Sequence, residues 1–131
     1  MRVLPVHWEV RNDDIRVASA AVIGTDLKHS ALPCIVAGDF NSTPVNYPHA
    51  EPTADGQTPI FKLLAAGVLC DSGADRSLAP DLTFPSFAPT RTIDWILVSP
   101  DLRGRLRGVR TLESRLSDHR PVVGVVEVTA R

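Results

Sequence analysis

The middle of this sequence joins an apolar run to a polar end: Cys34-Ile35-Val36-Ala37-Gly38-Asp39-Phe40-Asn41. The first four residues show no alternation of apolar and polar side chains, which predicts a strand that is covered on both faces. Gly38, Asp39 and Asn41 follow at the point where that strand should end. Because these are also the commonest turn residues, the stretch alone is equally consistent with a simple turn and with a functional loop.

A helix is predicted on either side of this strand. The first covers about residues 12–29, with Asn12 as its cap and apolar residues at three- and four-residue spacing. Its predicted apolar stripe consists of Ile15, Ala18, Ala21 (or Val22) and Thr25. The second helix begins at Thr58-Pro59, with Thr58 as its cap, and ends at Gly67.

Short apolar and β-branched runs predict the remaining strands. They lie at residues 3–7, 93–98, near 109–112 and 121–128. The intervening stretches 42–57 and 71–92 are rich in proline and are predicted to be loops. Strands that alternate with helices predict an α/β fold, or an α+β fold with an antiparallel sheet.

The composition is that of one soluble globular domain. The chain has 131 residues, 44% hydrophobic and 22% charged, with a net charge of −1. This balance excludes an overall basic field that would attract nucleic acid or anionic membranes. Cys34 and Cys70 are too few for a disulfide framework. With no apolar run long enough for a membrane span and no signal peptide at Met1, the cytoplasm is the favoured location.

Acidic, amide and imidazole groups recur where predicted strands meet loops. They are His7, then Asp39 with Asn41, then Asp94, and finally Asp118 with His119. Loops at strand ends carry chemistry because the sheet fixes their positions. A lone histidine after an apolar strand, such as His7, is more often structural than catalytic, and the Ser117-Asp118-His119 loop can equally be structural. Asp94, by contrast, lies inside an apolar strand. An acid in that setting must be paired, bind a metal or bear a large desolvation cost.

Three ordered segments together resemble the endonuclease/exonuclease/phosphatase superfamily. They are Gly38-Asp39-Phe40-Asn41-Ser42-Thr43-Pro44, Thr92-Ile93-Asp94-Trp95-Ile96-Leu97 and Leu116-Ser117-Asp118-His119-Arg120-Pro121-Val122. In addition, Val6-His7 followed by Arg16 is similar to the preceding block of that superfamily. Three matches in the right order make a chance resemblance far less probable than any single motif would.

The resemblance implies half of a four-layered α/β/β/α sandwich, with a largely antiparallel sheet and helices on one face. Residues 1–131 would be the C-terminal half of the domain, and the N-terminal half, with its metal-binding glutamate, would be absent. Such a half would leave one sheet face bare. We therefore expect self-association or pairing with an N-terminal half.

The resemblance also implies roles for individual residues in phosphate-ester hydrolysis. Asp39 would orient or deprotonate the attacking water, and with Asp118 it would bind Mg²⁺ or Mn²⁺, which prefer carboxylate oxygens. The remaining residues would act on the phosphate. Asn41 and Arg120 would donate hydrogen bonds to it, and His119 would contact it while Asp94 holds the imidazole. His7 would be a second phosphate contact or the general acid. Arg120, like Arg91, can also be simply solvated.

The function implied is that of a metal-dependent phosphodiesterase, nuclease or phosphatase. The alternative is a catalytically inactive remnant, or a partner-binding module of the same fold. The substrate can be a nucleic acid, a phospholipid or a small phosphate ester. Loops 42–57 and 71–90 contain few basic residues, which argues against a long nucleic-acid track.

Overall fold

The computed structural model describes residues 1–73 and 75–128, which form five strands, two α-helices and two short 3₁₀ helices. The strands are β1 (Arg2–His7), β2 (Cys34–Asp39), β3 (Asp94–Val98), β4 (Leu106–Thr111) and β5 (Val122–Val126). The helices are α1 (Asp13–Lys28) and α2 (Pro59–Ala65), and the 3₁₀ helices span Ala79–Asp81 and Pro100–Arg105.

The strands form one sheet of three strands and one of two. The three-stranded sheet has the order β1-β2-β3, in which β1 and β2 are parallel and β2 and β3 are antiparallel. β4 and β5 form a separate antiparallel pair. Helix α1 connects the two parallel strands, as parallel pairing requires a crossover. The mixed α/β class with antiparallel pairing is therefore confirmed, and β2, the apolar run of the sequence, is the central strand.

The start of α1 is as predicted, but the buried face of the helix is different. The Asn12 side chain accepts hydrogen bonds from the backbone N–H groups of Asp14 and Ile15, at 2.9 and 3.2 Å. The prediction of an apolar stripe through Ile15 and Val22 is wrong, because these side chains are 49% and 68% exposed. The buried residues of α1 are Arg16, Ala20, Gly24 and Leu27.

Small residues explain why this other face is buried. Ala20 and Gly24 lie one turn apart, and Gly24 faces Ala66 at the end of α2. A helix face with small side chains can approach a neighbouring helix closely. The face of α1 that carries Ala20 and Gly24 is therefore buried, and the face with the larger aliphatic residues is exposed.

Replacing Gly24 with alanine is expected to stabilise the protein. The added Cβ atom would lie 3.6 Å from the Cβ atom of Ala66 and 4.0 Å from Cδ1 of Leu63, which are ordinary contact distances. An alanine inside a helix is favoured over glycine by about 0.5–1 kcal/mol. Urea unfolding should show this gain, and a loss would mean that the two helices pack more tightly than the structure indicates.

Helix α2 begins at Pro59, as predicted, but Thr58 does not cap it through its side chain. Instead, the Ser42 hydroxyl accepts a hydrogen bond of 3.1 Å from the backbone N–H of Ile60. Gly67 follows the helix with φ of +73°, a conformation that suits glycine. The loop after β2 is thereby tied to the start of α2.

Both helices pack on one face of the three-stranded sheet. Val36 and Leu97 are fully buried there with Ile60 and Leu63, and Trp95 joins this core, as predicted. The other face carries alternate residues of the same strands, and Val3 on this face is 62% exposed. No helix in residues 1–73 and 75–128 is long and apolar enough to cross a membrane.

Candidate active site

Two aspartates lie side by side where β2 and β3 meet the loops. Asp39 is paired directly with Asp94 across these strands, and His7 is paired with Asp39 across β1 and β2. Directly paired residues point to the same face of a sheet. The three side chains therefore share the face opposite the helices. The Asp39 and Asp94 side chains are only 13% and 17% exposed.

Gly38 lies inside β2 rather than in a turn, with φ of +144°. A Cβ atom at this position would lie 2.0 Å from the backbone oxygen of Val6 on the neighbouring strand. Only glycine permits β1 and β2 to approach this closely. Its presence therefore sets the spacing of the strands that carry His7 and Asp39.

Asn41 and Asp39 meet through a tight turn. β2 ends at Asp39, and Asn41 has φ of +43°. The backbone N–H of Asn41 donates to Oδ1 of Asp39 at 2.7 Å. The Asn41 amide donates to Oδ2 of Asp39 at 3.2 Å and to the Trp8 carbonyl at 2.9 Å. These bonds fix the orientation of the Asp39 carboxylate.

His119 is oriented by Asp94. Its Nδ1 atom lies 2.9 and 3.1 Å from the two carboxylate oxygens of Asp94, so Nδ1–H donates to this carboxylate. The imidazole also packs against the ring of Phe84, at 4.8 Å between centroids. Asp94 is therefore paired with His119. Pairing is one of the three outcomes expected for an acid in an apolar strand.

The loop that carries His119 is fastened to residues 83–86. The Ser86 N–H donates to the Asp118 carbonyl at 2.7 Å, and the Arg120 N–H donates to the Thr83 carbonyl at 2.8 Å. The Arg120 side chain also donates to the Ser86 carbonyl, at 3.0 Å. This double connection holds the loop over the end of β3.

Two imidazoles flank the Asp39 carboxylate. Nε2 of His119 lies 3.8 Å from Oδ2 of Asp39, and Nε2 of His7 lies 3.7 Å from the same oxygen. Since Nδ1 of His119 is bound to Asp94, its Nε2 atom is the one that faces the site. The His119 side chain is 28% exposed, whereas that of His7 is 74% exposed.

Burial and neighbouring charges shift both central groups. Burial raises the pKa of Asp39 above its ordinary value, and the nearby Asp94 charge adds to this, while the Asn41 hydrogen bond and His119 oppose it. For His119, burial opposes protonation, but the hydrogen bond and charge of Asp94, with Asp39 and Asp118, raise the pKa overall. The surroundings therefore favour the protonated form of each of these two groups.

Replacing Asp94 with asparagine is expected to lower the pKa of His119. Asp94 stabilises the protonated imidazole, so the folded-state pKa lies above the unfolded value of about 6.5. The resulting stabilisation is complete below that unfolded value and is lost as the pH rises through the folded-state pKa. NMR titration of the imidazole in metal-free protein should show a lower midpoint in the variant. An unchanged midpoint would contradict the pairing.

A cleft of 560 Å³ collects most of the predicted residues. Its walls include His7, Asp39, Asn41, Asp118 and His119, together with Arg16, Glu51, Phe84 and Arg91. Arg120 does not line this cleft and lies in an adjoining depression behind Asp94. Sequence reasoning missed Glu51 and Phe84, since a loop glutamate or phenylalanine carries no signal of its own.

The donor atoms present suit a hard cation. One ligand atom each from Asp39, Asp94 and His119 lie within 4.8 Å of one another. Carboxylate oxygens are the ligands that Mg²⁺ and Mn²⁺ prefer. Within this group Asp94 is already bonded to His119. In the described part of the chain Asp118 is not a member of the group, and it is exposed at the wall of the cleft.

The fold is similar to that of solved structures from bacteria. An endonuclease/exonuclease/phosphatase family protein from Bacteroides thetaiotaomicron is 25% identical with a TM-score of 0.67, and the similarity covers 94% of this chain and 47% of that one. A mannosyl-6-phosphatase from Bacteroides thetaiotaomicron is 25% identical with a TM-score of 0.64, covering 96% and 51%. A 3′-5′ exonuclease from Neisseria meningitidis is 21% identical with a TM-score of 0.72, covering 96% and 61%.

This chain thus spans 47% to 61% of the length of these structures. No curated protein matches it significantly in sequence. The model of the endonuclease/exonuclease/phosphatase family matches residues 2–119, which include all the strand-end residues described above. Because that match covers nearly the whole sequence, the chain belongs to the endonuclease/exonuclease/phosphatase family.

Proposed function

We propose that this chain carries the phosphate-ester-hydrolysing centre of a metal-dependent phosphodiesterase, nuclease or phosphatase. The observation that carries the proposal is the geometry around His119. Asp94 holds its Nδ1 atom at 2.9 Å, and its Nε2 atom faces Asp39 at 3.8 Å. An acid and a base are thus presented to one cleft with fixed orientations, as hydrolysis of a phosphate ester requires.

Each group has a role that its surroundings support. Asp39 accepts the proton of the attacking water, and its orientation is fixed by the hydrogen bonds from Asn41. Protonated His119 donates from Nε2 to a phosphoryl oxygen, while Asp94 stabilises the positive charge. Asn41 donates to the phosphate after exchanging its longer bond to Asp39. His7, which is mostly exposed, makes a second phosphate contact or acts as the general acid.

A divalent cation, Mg²⁺ or Mn²⁺, completes the proposed centre. Asp118 and Asp39 would hold it, since both carboxylates line the cleft and the Asp94 carboxylate is bonded to His119. When bound, the cation neutralises charge on the phosphoryl oxygens. Arg120 is bonded to the Ser86 carbonyl and would have to rotate before it could donate to a phosphate.

We further propose that residues 1–131 form the C-terminal half of the family's sandwich. This is supported by the coverage of only 47% to 61% of the related structures. It is also supported by apolar residues on the strands that remain exposed, namely Val3, Val123 and Val125. An N-terminal half, or a second copy of this chain, would cover them. A monodisperse folded monomer by light scattering, with no binding of an apolar dye, would contradict this.

The test is hydrolysis of bis(p-nitrophenyl) phosphate with and without Mg²⁺. We expect activity that a chelator removes, that added Mg²⁺ restores, and that Asp118→Ala loses. The matched control is Asp55→Ala, because Asp55 is paired with Lys62 outside the cleft. If the folded chain is inactive in all conditions, either it is active only with an N-terminal half or as an oligomer, or the alternative holds, which is an inactive remnant or partner-binding module of the same fold.

A further inference from the structure

The cleft extends from the Asp39–His119 centre to two arginines that share one glutamate. Nη1 of Arg91 lies 3.4 Å from Oε1 of Glu51, and Nη2 of Arg16 lies 4.0 Å from Oε2 of Glu51. All three side chains line the same cleft as Asp39 and His119. The catalytic centre does not use these three residues, so their placement needs a separate explanation.

Arg16 is a fixed positive charge at the floor of this region. Its side chain is only 4% exposed, and Nη1 donates to the carbonyls of Glu9 and Val10 at 3.1 and 2.6 Å. Asp13 accepts a hydrogen bond from Nη2. The Nε–H group is buried, and among the described residues it has no hydrogen-bond partner. A buried guanidinium attracts an anion through its charge, and Nη2 is the Arg16 atom that faces Glu51 in the cleft.

Arg91 is positioned from the other side. Its guanidinium lies over the ring of Phe84, with 5.9 Å from the central carbon to the ring centroid. The side chain is 35% exposed, and its Nε–H group is also buried without a partner in the described part of the chain. Stacking on an aromatic ring fixes the plane of the guanidinium while its donors stay available to a planar or tetrahedral oxyanion.

Glu51 is held far less firmly than the arginines it contacts. Its side chain is 62% exposed, and the contacts to Arg16 and Arg91 are at 4.0 and 3.4 Å. It belongs to the proline-rich loop between β2 and α2. An exposed ion pair with long contacts contributes little, so a better anion can replace this carboxylate.

We propose that Arg91 and Arg16 form a second oxyanion subsite, which binds a phosphate or carboxylate group of the substrate other than the group being hydrolysed. Glu51 occupies the subsite in the free protein and leaves when that group binds. The proposal rests on the proposed function, because it takes the adjoining Asp39–His119 centre as the place of hydrolysis. It assigns the substrate class as phosphate esters that carry a second anionic group.

The first experiment measures binding without requiring activity. The Nε–H signals of Arg16 and Arg91 are followed by NMR in ¹⁵N-arginine-labelled protein during titration with inorganic phosphate. We expect both signals to shift, and Glu51→Gln to tighten the apparent affinity about threefold, since it removes the competing charge. Phosphate that shifts the His119 imidazole signals and leaves both arginine signals unmoved would overturn the proposal.

The second experiment compares a dinucleotide with a free 5′ hydroxyl and the same dinucleotide with a 5′-phosphate. We expect kcat/KM to be higher for the phosphorylated substrate, and Arg91→Ala to reduce that preference about tenfold. Arg107→Ala is the matched control, because Arg107 lies on β4, contacts Glu127 and does not line the cleft. It should leave the preference unchanged.

The two experiments separate the two proposals. Hydrolysis of both dinucleotides with no preference, or a preference that survives Arg91→Ala, would overturn the subsite and leave the catalytic centre intact. Hydrolysis of neither dinucleotide, with arginine signals that still respond to phosphate, would contradict hydrolysis by this chain alone and support an anion subsite at the two arginines.

Discussion

Replacing Asp39 with asparagine is expected to lower kcat for phosphate-ester hydrolysis by a factor of about 10²–10⁴, the usual contribution of a positioned general base. Asparagine has the same shape and retains an oxygen that can accept the backbone hydrogen bond from Asn41, now 2.7 Å long. It cannot accept the proton of the attacking water. The change therefore removes the proposed base, and the structural loss is limited to the longer hydrogen bond of 3.2 Å from the Asn41 amide.

The stability of this variant gives an independent check. Burial raises the pKa of Asp39, so the ionised carboxylate destabilises the folded protein at neutral pH. Thermal unfolding of Asp39→Asn should therefore occur at the same temperature as for the unmodified protein, or at a higher one. Asp55→Asn is the control for activity, because this residue is exposed and lies outside the cleft. If Asp39→Asn unfolds at a lower temperature than the unmodified protein, misfolding would explain the loss of activity.

Replacing Gly38 with alanine is expected to destabilise the protein by about 3 kcal/mol or more. Two costs act together at this position. The backbone has φ of +144°, which side-chain-bearing residues rarely adopt, and the new Cβ atom would lie 2.0 Å from the Val6 oxygen. A backbone atom in the middle of a strand cannot move aside without breaking the parallel pairing of β1 and β2.

A comparison with Gly108→Ala separates these two costs. Gly108 has φ of +57°, and an added Cβ atom there would meet no atom within 4 Å. This variant should lose only about 1 kcal/mol, which is the cost of the left-handed conformation for alanine. Urea unfolding of the two variants measures the difference. Equal losses would show that backbone conformation, and not the approach of β1, explains the requirement for glycine at position 38.

The central strand and the residues at strand ends could be predicted from the sequence because each depends on local chemistry. The run Cys34–Ala37 is apolar without alternation, and it is the middle strand of the sheet. Asp94 required a partner by the cost of burial alone, and that partner is His119. Asp39 is the last residue of β2 and Asp94 is the first residue of β3. The two come together because these strands are antiparallel neighbours in the sheet.

Other features could not be predicted because they depend on contacts between distant parts of the chain. Ile15 is apolar and Arg16 is charged, yet Arg16 is the buried one, since carbonyls of the preceding loop surround its guanidinium. Glu51 could not be identified because its two partners, Arg16 and Arg91, lie 35 and 40 residues away along the sequence and contact it only in the folded protein. The sequence left open whether the Asn41 segment is a simple turn or a functional loop, because the hydrogen bond that compensates its positive φ exists only in the folded loop.

The fastening of the His119 loop to residues 83–86 divides the protein into parts of unequal local stability. The connection consists of a few loop hydrogen bonds, whereas β1–β3 are held by continuous strand pairing and a buried core. Segments joined in this way open together as one cooperative unit, with a smaller free energy than global unfolding. The amide hydrogens of Ser86 and Arg120, which form this connection, would consequently exchange with solvent together and earlier than those of β2. On warming, a fraction of molecules would keep an intact sheet while His119 is withdrawn from Asp39, so the candidate site would come apart below the melting temperature.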